Sequence, residues 1–582
     1  MSKIVSLARE DMDMEALFCR FRAAVRGVVL VLILVATLAM GILPPGVAWA
    51  ASQTDASLGA IAQFIPRQAL VALSLAKPVQ ELPGPLGTPL EQILRDEWQR
   101  LGIGELRRVK DWADNEMAIA LLPSDTGSEA PTLHGINQGT NLGDRLLWII
   151  KIRRNEAATN FLDRLWQDRQ GNGSKSETYQ GVRVLSAAGS PRLANPKSLQ
   201  NGLPVATAQV KDRVVLIATN PQLIKAALAS AQSPDASLGM MASYRQAIAT
   251  LPPNPWGFLY GNLQSLGDPS QLSPRYDRLF LALYQDGKQL LMDMALKGIG
   301  ETPAEETGAN STIASGLHSD LVQAWPADPG MALMGKALPQ AWQDLNAALI
   351  TYPAGRAQSG ESILERAIAD LGHQWKIDLV NTIFPLGSQA YALGLWPQAP
   401  DSTQLDWLWT SPITPETDST LATLDTIATD KGFSRDPIPV GSQSFQAWTK
   451  LNPDLENTGR LISQVAGVYG QNGETVWLGS SLVTLSEYFD HLAHPGTDKS
   501  NPSSSWLKLN QWGVKERDIQ GLLYLNWSKS RFLLEHRFPF LKILDTWTMP
   551  LGEQLQSIAL INQGRQGPFQ RARAIIEWEQ ER

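Results

Sequence analysis

Cysteine is nearly missing from this chain: one residue in 582, Cys19. It precedes the one long apolar run, so everything downstream lacks thiols. A disulfide scaffold, a thiolate metal site and a cysteine nucleophile are excluded there. Cys19 is also misplaced for lipoprotein acylation, which follows an apolar stretch rather than leading it. Charge is sparse too, at 18% with a formal net charge of -7. A nucleic-acid binder would show a basic field, so no nucleic-acid partner is expected.

Histidines number six, and only Asp490-His491-Leu492-Ala493-His494 has ligand-like spacing. Pro495-Gly496 follow at once and mark a helix C-terminus, where the macrodipole alone favours histidine, so no metal site is expected. No G-x-S-x-G, no G-x-G-x-x-G after a strand and no G-x-x-x-x-G-K-[ST] occurs. Hydrolase-elbow, dinucleotide and P-loop chemistry therefore lack support, and no cofactor is expected. Ser74-Leu75-Ala76-Lys77 has the S-x-x-K form of serine acyl-enzymes but reads as a strand ending in a solvated lysine, without S-D-N or K-T-G companions. Asp401 with Asp406, and Glu301, Glu305 and Glu306, read as solvated acids. No catalytic residue is assigned.

The apolar run itself, Gly27 to Leu43, follows Arg20, Arg22 and Arg26, which hold the N-terminal side in the cytoplasm. Pro44-Pro45-Gly46 breaks it. Ala48-Trp49-Ala50 then offers small residues at the two positions that signal peptidase reads, with cleavage after Ala50. Residues 1–50 are thus a signal peptide or, if uncleaved, a signal anchor that tethers the chain to the membrane through 27–43. Either way the rest is expected outside the cytoplasm, in a periplasm or thylakoid lumen.

Tryptophan is abundant, with 19 copies, 13 of them from Trp325 onward. Core packing explains such a content; an aromatic surface for a glycan, pigment or lipid is the other reading.

Self-similarity organises the remainder. Phe64 to Leu73 matches Ala324 to Leu333, each a proline turn before an apolar strand. Met117 to Pro123 matches Ala390 to Pro397, and Leu146 to Ile150 matches Leu405 to Trp409. Helical spacing follows in both, at Ala157, Phe161, Leu162 and Leu165 and at Leu421, Leu424 and Ile427. Lys211 to Ala218 matches Gln471 to Leu478 as a tight turn and strand. Gly257 to Asn262 matches Gly521 to Asn526, and Leu281 to Lys288 matches Ile558 to Arg565. The offset stays near 260 to 280 residues in constant order. Gly298 to Ser319 is rich in Gly, Pro, Glu, Ser and Thr and reads as a flexible linker. The expected architecture is α+β: two tandem homologous domains, 51–297 and 320–582, joined by linker 298–319. Each is a largely antiparallel sheet with packed helices, after an N-terminal hydrophobic helix.

Through Phe64-Ile65-Pro66, Val109 to Pro123, Tyr179-Gln180-Gly181-Val182, Val214 to Leu228 and Leu251-Pro252 through Asn262, the chain resembles an uncharacterised family. That family comprises domain-of-unknown-function proteins of the envelopes of photosynthetic bacteria. The resemblance spans nearly the whole mature chain and implies localisation and architecture, with no reaction to transfer. The expected role is a non-enzymatic envelope protein binding an unknown protein partner, or a small-molecule or lipid ligand, between its repeats. The alternative is an envelope hydrolase whose active site assembles from distant residues.

Overall fold

Val214–Ala218 reads Val-Val-Leu-Ile-Ala, and all five residues are buried. A strand apolar on both faces must be covered on both faces, and that holds for the centre of each half of the chain. The computed structural model describes residues 57–77, 109–123, 145–167, 174–187, 205–252, 254–266, 276–298, 319–322, 328–350, 377–399, 401–440, 443–453, 461–493, 506–537 and 554–579, with single residues between them. The apolar run 27–43, Ala48 and Ala50 lie outside the described residues, as do 299–318 of the expected linker. Among the described residues, no helix is long and apolar enough to cross a membrane.

The fold is mixed α+β, with helices packed on one large antiparallel sheet of twenty strands. The strands up to residue 298 are β1 Val71–Leu75, β2 Ala113–Leu121, β3 Leu146–Ile152, β4 Lys175–Tyr179, β5 Val182–Ala187, β6 Val205–Val210, β7 Val214–Ala218, β8 Gly257–Asn262, β9 Tyr276–Asp286 and β10 Gln289–Gly298. Those after it are β11 Met331–Lys336, β12 Ala390–Pro397, β13 Leu405–Pro412, β14 Ser434–Val440, β15 Gln443–Pro453, β16 Leu461–Asn472, β17 Thr475–Gly479, β18 Gly521–Asn526, β19 Leu555–Gln566 and β20 Phe569–Trp578.

In space the first ten run β4-β5-β6-β7-β3-β2-β1-β8-β9-β10. The second ten run β14-β15-β16-β17-β13-β12-β11-β18-β19-β20, the same order position by position. Antiparallel pairing of β10 with β20, from Gln289↔Glu577 to Lys297↔Phe569, joins the two sets along a seam.

Each half carries helices on both faces. In the first, Asn155–Gln167 turns Ala158, Leu162, Leu165 and Trp166 inward. They pack with Trp98, Trp112, Trp148 and Trp256. On the other face Pro221–Gln232, capped by Asn220 accepting from the Gln222 amide and started by proline, buries Ile224 and Leu228. In the second half Thr417–Asp430 covers Tyr391, Trp409 and Tyr469 with Leu421 and Leu424. Helix Leu482–Ala493 packs Tyr488 and Phe489 on Trp477 and joins a core that also holds Trp325, Trp506 and Trp512. Twelve of the sixteen described tryptophans are buried and none is exposed. Core packing therefore accounts for them, and the aromatic-surface reading has no described residue behind it.

The sheet ends where sequence makes further pairing unfavourable. Edge strand β14 carries Pro437 and Pro439, and edge strand β4 exposes Lys175 and Glu177.

Two matches read from sequence shift in register. Leu146 and Trp407, not Leu405, occupy equivalent places, since they pair with Leu121 and Leu395. The glycine equivalent to Gly287 is Gly567, not Gly564: both turn β-hairpins at positive φ, 56° and 60°. Gly564 instead lies in a β-bulge of β19, whose extra residue displaces the count. Open space surrounds Gly567, so Gly567→Ala meets no clash and only the left-handed strain. A loss of roughly 1–2 kcal/mol in urea unfolding is the expected outcome.

Candidate functional site

Along β10 the sequence Leu-Leu-Met-Asp-Met-Ala-Leu places a lone acid inside an apolar run. Along β20, Arg571, Arg573 and Glu577 recur on one face of a strand whose other residues are apolar except Gln570. Alternation sends Leu290, Met292, Met294, Leu296, Ala572, Ala574 and Trp578 into an apolar cluster on one side of the seam. The charges go to the other.

At the centre of the seam Asp293 faces Arg573. These residues are 280 apart, the same spacing as the hairpin glycines Gly287 and Gly567. A local twofold relating the two hairpins therefore passes through this pair. Arg573 clamps the carboxylate with both arms, Nε to Oδ1 at 2.6 Å and Nη2 to Oδ2 at 2.9 Å. Its Nη1 donates to the carbonyls of Trp512 at 2.9 Å and Gly513 at 3.2 Å. The pair is mostly buried, with 13% and 7% of the two side chains exposed.

Arg571 lies two residues away on the same face, 5% exposed, its guanidinium 5.7 Å from the centre of the Phe569 ring. Its Nε and Nη2 have no hydrogen-bond partner among the described residues. Burial pulls this guanidinium down to about 10, against the pull of Asp293 and Tyr284, which leaves it charged at neutral pH. Tyr284 donates to the Pro252 carbonyl at 2.7 Å. Burial first, and the Asp293 carboxylate next, raise its phenol above the ordinary range.

Glu577 sits at the far end of β20 and accepts from Gln289 at 2.6 Å, Ser557 at 2.7 Å and Lys508 at 2.9 Å. Burial pushes its carboxyl up, but the three donors outweigh burial and hold it below the usual carboxylate range. A carboxyl lowered on folding adds stability above its unfolded pKa, about 4.3, and loses it as pH falls through the folded value. The wild type is therefore expected to lose more stability between pH 6 and pH 3 than Glu577→Gln, measured by urea midpoints.

The residues singled out from sequence lie elsewhere. Ser74 is buried within β1 between Ala118 and Phe258, while Lys77 is exposed beyond the strand end. Asp406 accepts from Ser480 at 2.8 Å, and Asp401 stands in an exposed turn. The side chains of His491 and His494 lie outside the described residues, as do Glu301, Glu305 and Glu306. Of the six histidines only the His536 side chain is described, and it stacks on Phe532. Among the described residues, no group of three or more His, Cys, Asp or Glu is placed to hold a metal ion. Neither composition nor motif singles out Asp293, Arg571 and Arg573, although an isolated charge in a buried strand is a legible signal.

Crystal form I of TP0453 is similar at 12% identity over 46% of this chain and 89% of that one, with a TM-score of 0.24. Crystal form III of the same protein is similar at 11% identity over 45% and 88%, with a TM-score of 0.25. Scores this low carry no argument about fold or function. No curated protein matches the chain significantly. The chain belongs to the family described as Protein of unknown function (DUF3352), whose profile matches residues 25–578 and so takes in both halves.

Proposed function

We propose that this chain is an exported, non-enzymatic binding protein of a photosynthetic bacterium's envelope, built by tandem duplication. Its repeats are 51–297 and 320–582, with 298–319 between them. Export follows from the apolar run 27–43 and the Ala48-Trp49-Ala50 site, with a periplasm or thylakoid lumen as destination. The identical strand order of the two halves supports the duplication. So does the seam, where residues 280 apart meet as a pair. The ligand, a small molecule, a lipid or a partner protein, sits on the charged face of the seam.

One observation carries this reading: of the six buried charged residues described, three (Asp293, Arg571 and Glu577) lie on the two strands where the halves join. Buried charge is costly to stability and an apolar pair would serve the sheet as well, so its retention here points to recognition. Native mass spectrometry of the chain recovered from its own cells tests it. The expected spectrum shows a discrete bound mass on wild type that is missing from Tyr284→Ala. Bare chain alone in both, or an equal adduct on both, counts against the seam.

A further inference from the structure

We infer that Arg571 anchors an oxyanion subsite on the seam, gripping the two-oxygen head of a carboxylate or phosphate ligand. This rests on the seam as binding site and names the chemistry of what binds there. The neighbouring arginine supplies the template. Arg573 holds Asp293 through its Nε and Nη2, the guanidinium edge that fits a pair of oxygens. Arg571 presents the same two atoms with no partner among the described residues, at 5% exposure. Among the described residues no other charged side chain has two buried unpaired donors.

Contrast Asp425, whose carboxylate accepts from Trp448 at 2.8 Å, Tyr469 at 2.9 Å and Arg435 at 3.1 Å. A partly buried charge there is fully answered. With Glu577 answered by Lys508 at the far end, the centre of the seam has one acid for two guanidinium groups, and Asp293 is already spent on Arg573. One positive charge is left over in a desolvated place, the setting in which a bound anion gains most.

The backbone beside Arg571 is irregular. The residue opposite Arg571 on β19 is Gly564, which carries no side chain and lies in the bulge at φ 74°. Bulges of this kind re-aim side chains next to sites. The twofold of the seam places Arg571 opposite in role to Leu291, which packs against the core of the second half. The subsite is therefore single, on one side of the axis only. Phe569 beside the guanidinium offers an apolar wall, so the head group can belong to a free anion or to an amphiphile.

Thermal unfolding and calorimetric titration of the full chain separate the cases, with acetate, inorganic phosphate, decanoate, and phosphatidylglycerol against phosphatidylcholine vesicles as probes. The expected result is a midpoint increase of several degrees in wild type with at least one anionic probe. Response to acetate or phosphate identifies a free anion; response only to decanoate or the anionic vesicle identifies an amphiphile. Arg571→Met abolishes the response. Arg571→Lys, which keeps the charge but not the fork, raises Kd at least tenfold. Leu291→Met leaves the response unchanged. Arg571→Met removes an unanswered buried charge and is expected to fold at least as stably as wild type. Should it fail to fold, the wild-type and Arg571→Lys isotherms decide alone. No binding of any probe to wild type, or equal binding to Arg571→Met, overturns the subsite. A native-mass adduct that survives Arg571→Met but not Tyr284→Ala overturns the oxyanion assignment while leaving the seam reading in place. Its loss from neither variant overturns both.

Discussion

Arg573→Ala is expected to lower the unfolding free energy by about 3–5 kcal/mol, the range for stranding one member of a buried ion pair. The loss has two parts. Asp293, 7% exposed, keeps a carboxylate with its two donors gone. The carbonyls of Trp512 and Gly513 lose the donor that ties their loop to the sheet. By comparison, Arg95→Ala breaks an exposed pair with Glu91 and is expected to change stability by at most about 0.5 kcal/mol. The double variant Asp293→Leu/Arg573→Met removes both charges and should recover most of the loss, since apolar replacement of a buried pair is close to neutral. Urea unfolding at pH 7 reads all three. A loss below 1 kcal/mol for Arg573→Ala would mean that the pair is hydrated rather than buried.

Phe569→Ala is expected to cost about as much, roughly 3–5 kcal/mol, through a different route. Phe569 belongs to the second half by sequence, yet it is 1% exposed inside the core of the first, edge-on to Phe280 at 5.8 Å. Truncation leaves a cavity beside Phe280, which in turn packs ring against ring with Tyr244, Phe258 and Tyr260. The diagnostic is where protection is lost. Amide exchange should quicken in β9 and in helix Ala242–Ala249, although the substitution is in the last strand. Exchange that quickens only in β19 and β20 would show that Phe569 serves its own half. Phe532→Ala, at a position 44% exposed, is the control and should stay within about 0.5 kcal/mol.

Much of this architecture is legible in the residues. The run Val214–Ala218, the tight turn before it and its counterpart Thr475–Gly479 show strands and turns directly, because apolar runs and turn residues act locally. Helix Asn155–Gln167 follows its spacing, although the side chains turned fully inward are Ala158, Leu162, Leu165 and Trp166, one step round from Ala157 and Phe161. Strand β4 was not legible: Lys-Ser-Glu-Thr-Tyr has no apolar alternation, because an edge strand exposed to water needs none. Strand β14 was hidden by its prolines for the same reason. The match of Gly287 to Gly564 failed because a bulge adds a residue without altering the apolar pattern.

The candidate site was the least legible part. Its chemistry depends on β10 lying beside β20, and partners 280 residues apart leave no local trace in either segment. What the sequence does hold is the lone Asp293 and the alternating Arg571 and Arg573, charges that composition dilutes and periodicity ignores. Tryptophan content misleads in the opposite sense, since a large ring serves a core and a binding surface alike, and only burial separates them.

Pairing of β10 with β20 is the claim from which the seam, the buried ion pair and the oxyanion subsite all follow. The chain's single cysteine, Cys19, leaves a clean background for testing it. With Cys19→Ser, the pair Met292→Cys and Ala574→Cys places thiols on directly opposed residues of the seam, within the Cα separation that a disulfide needs. Peptide mapping of the oxidised, unreduced chain is expected to find one linked peptide joining β10 to β20. Two free thiols after oxidation of the folded chain would contradict the seam, and with it the site assigned to it.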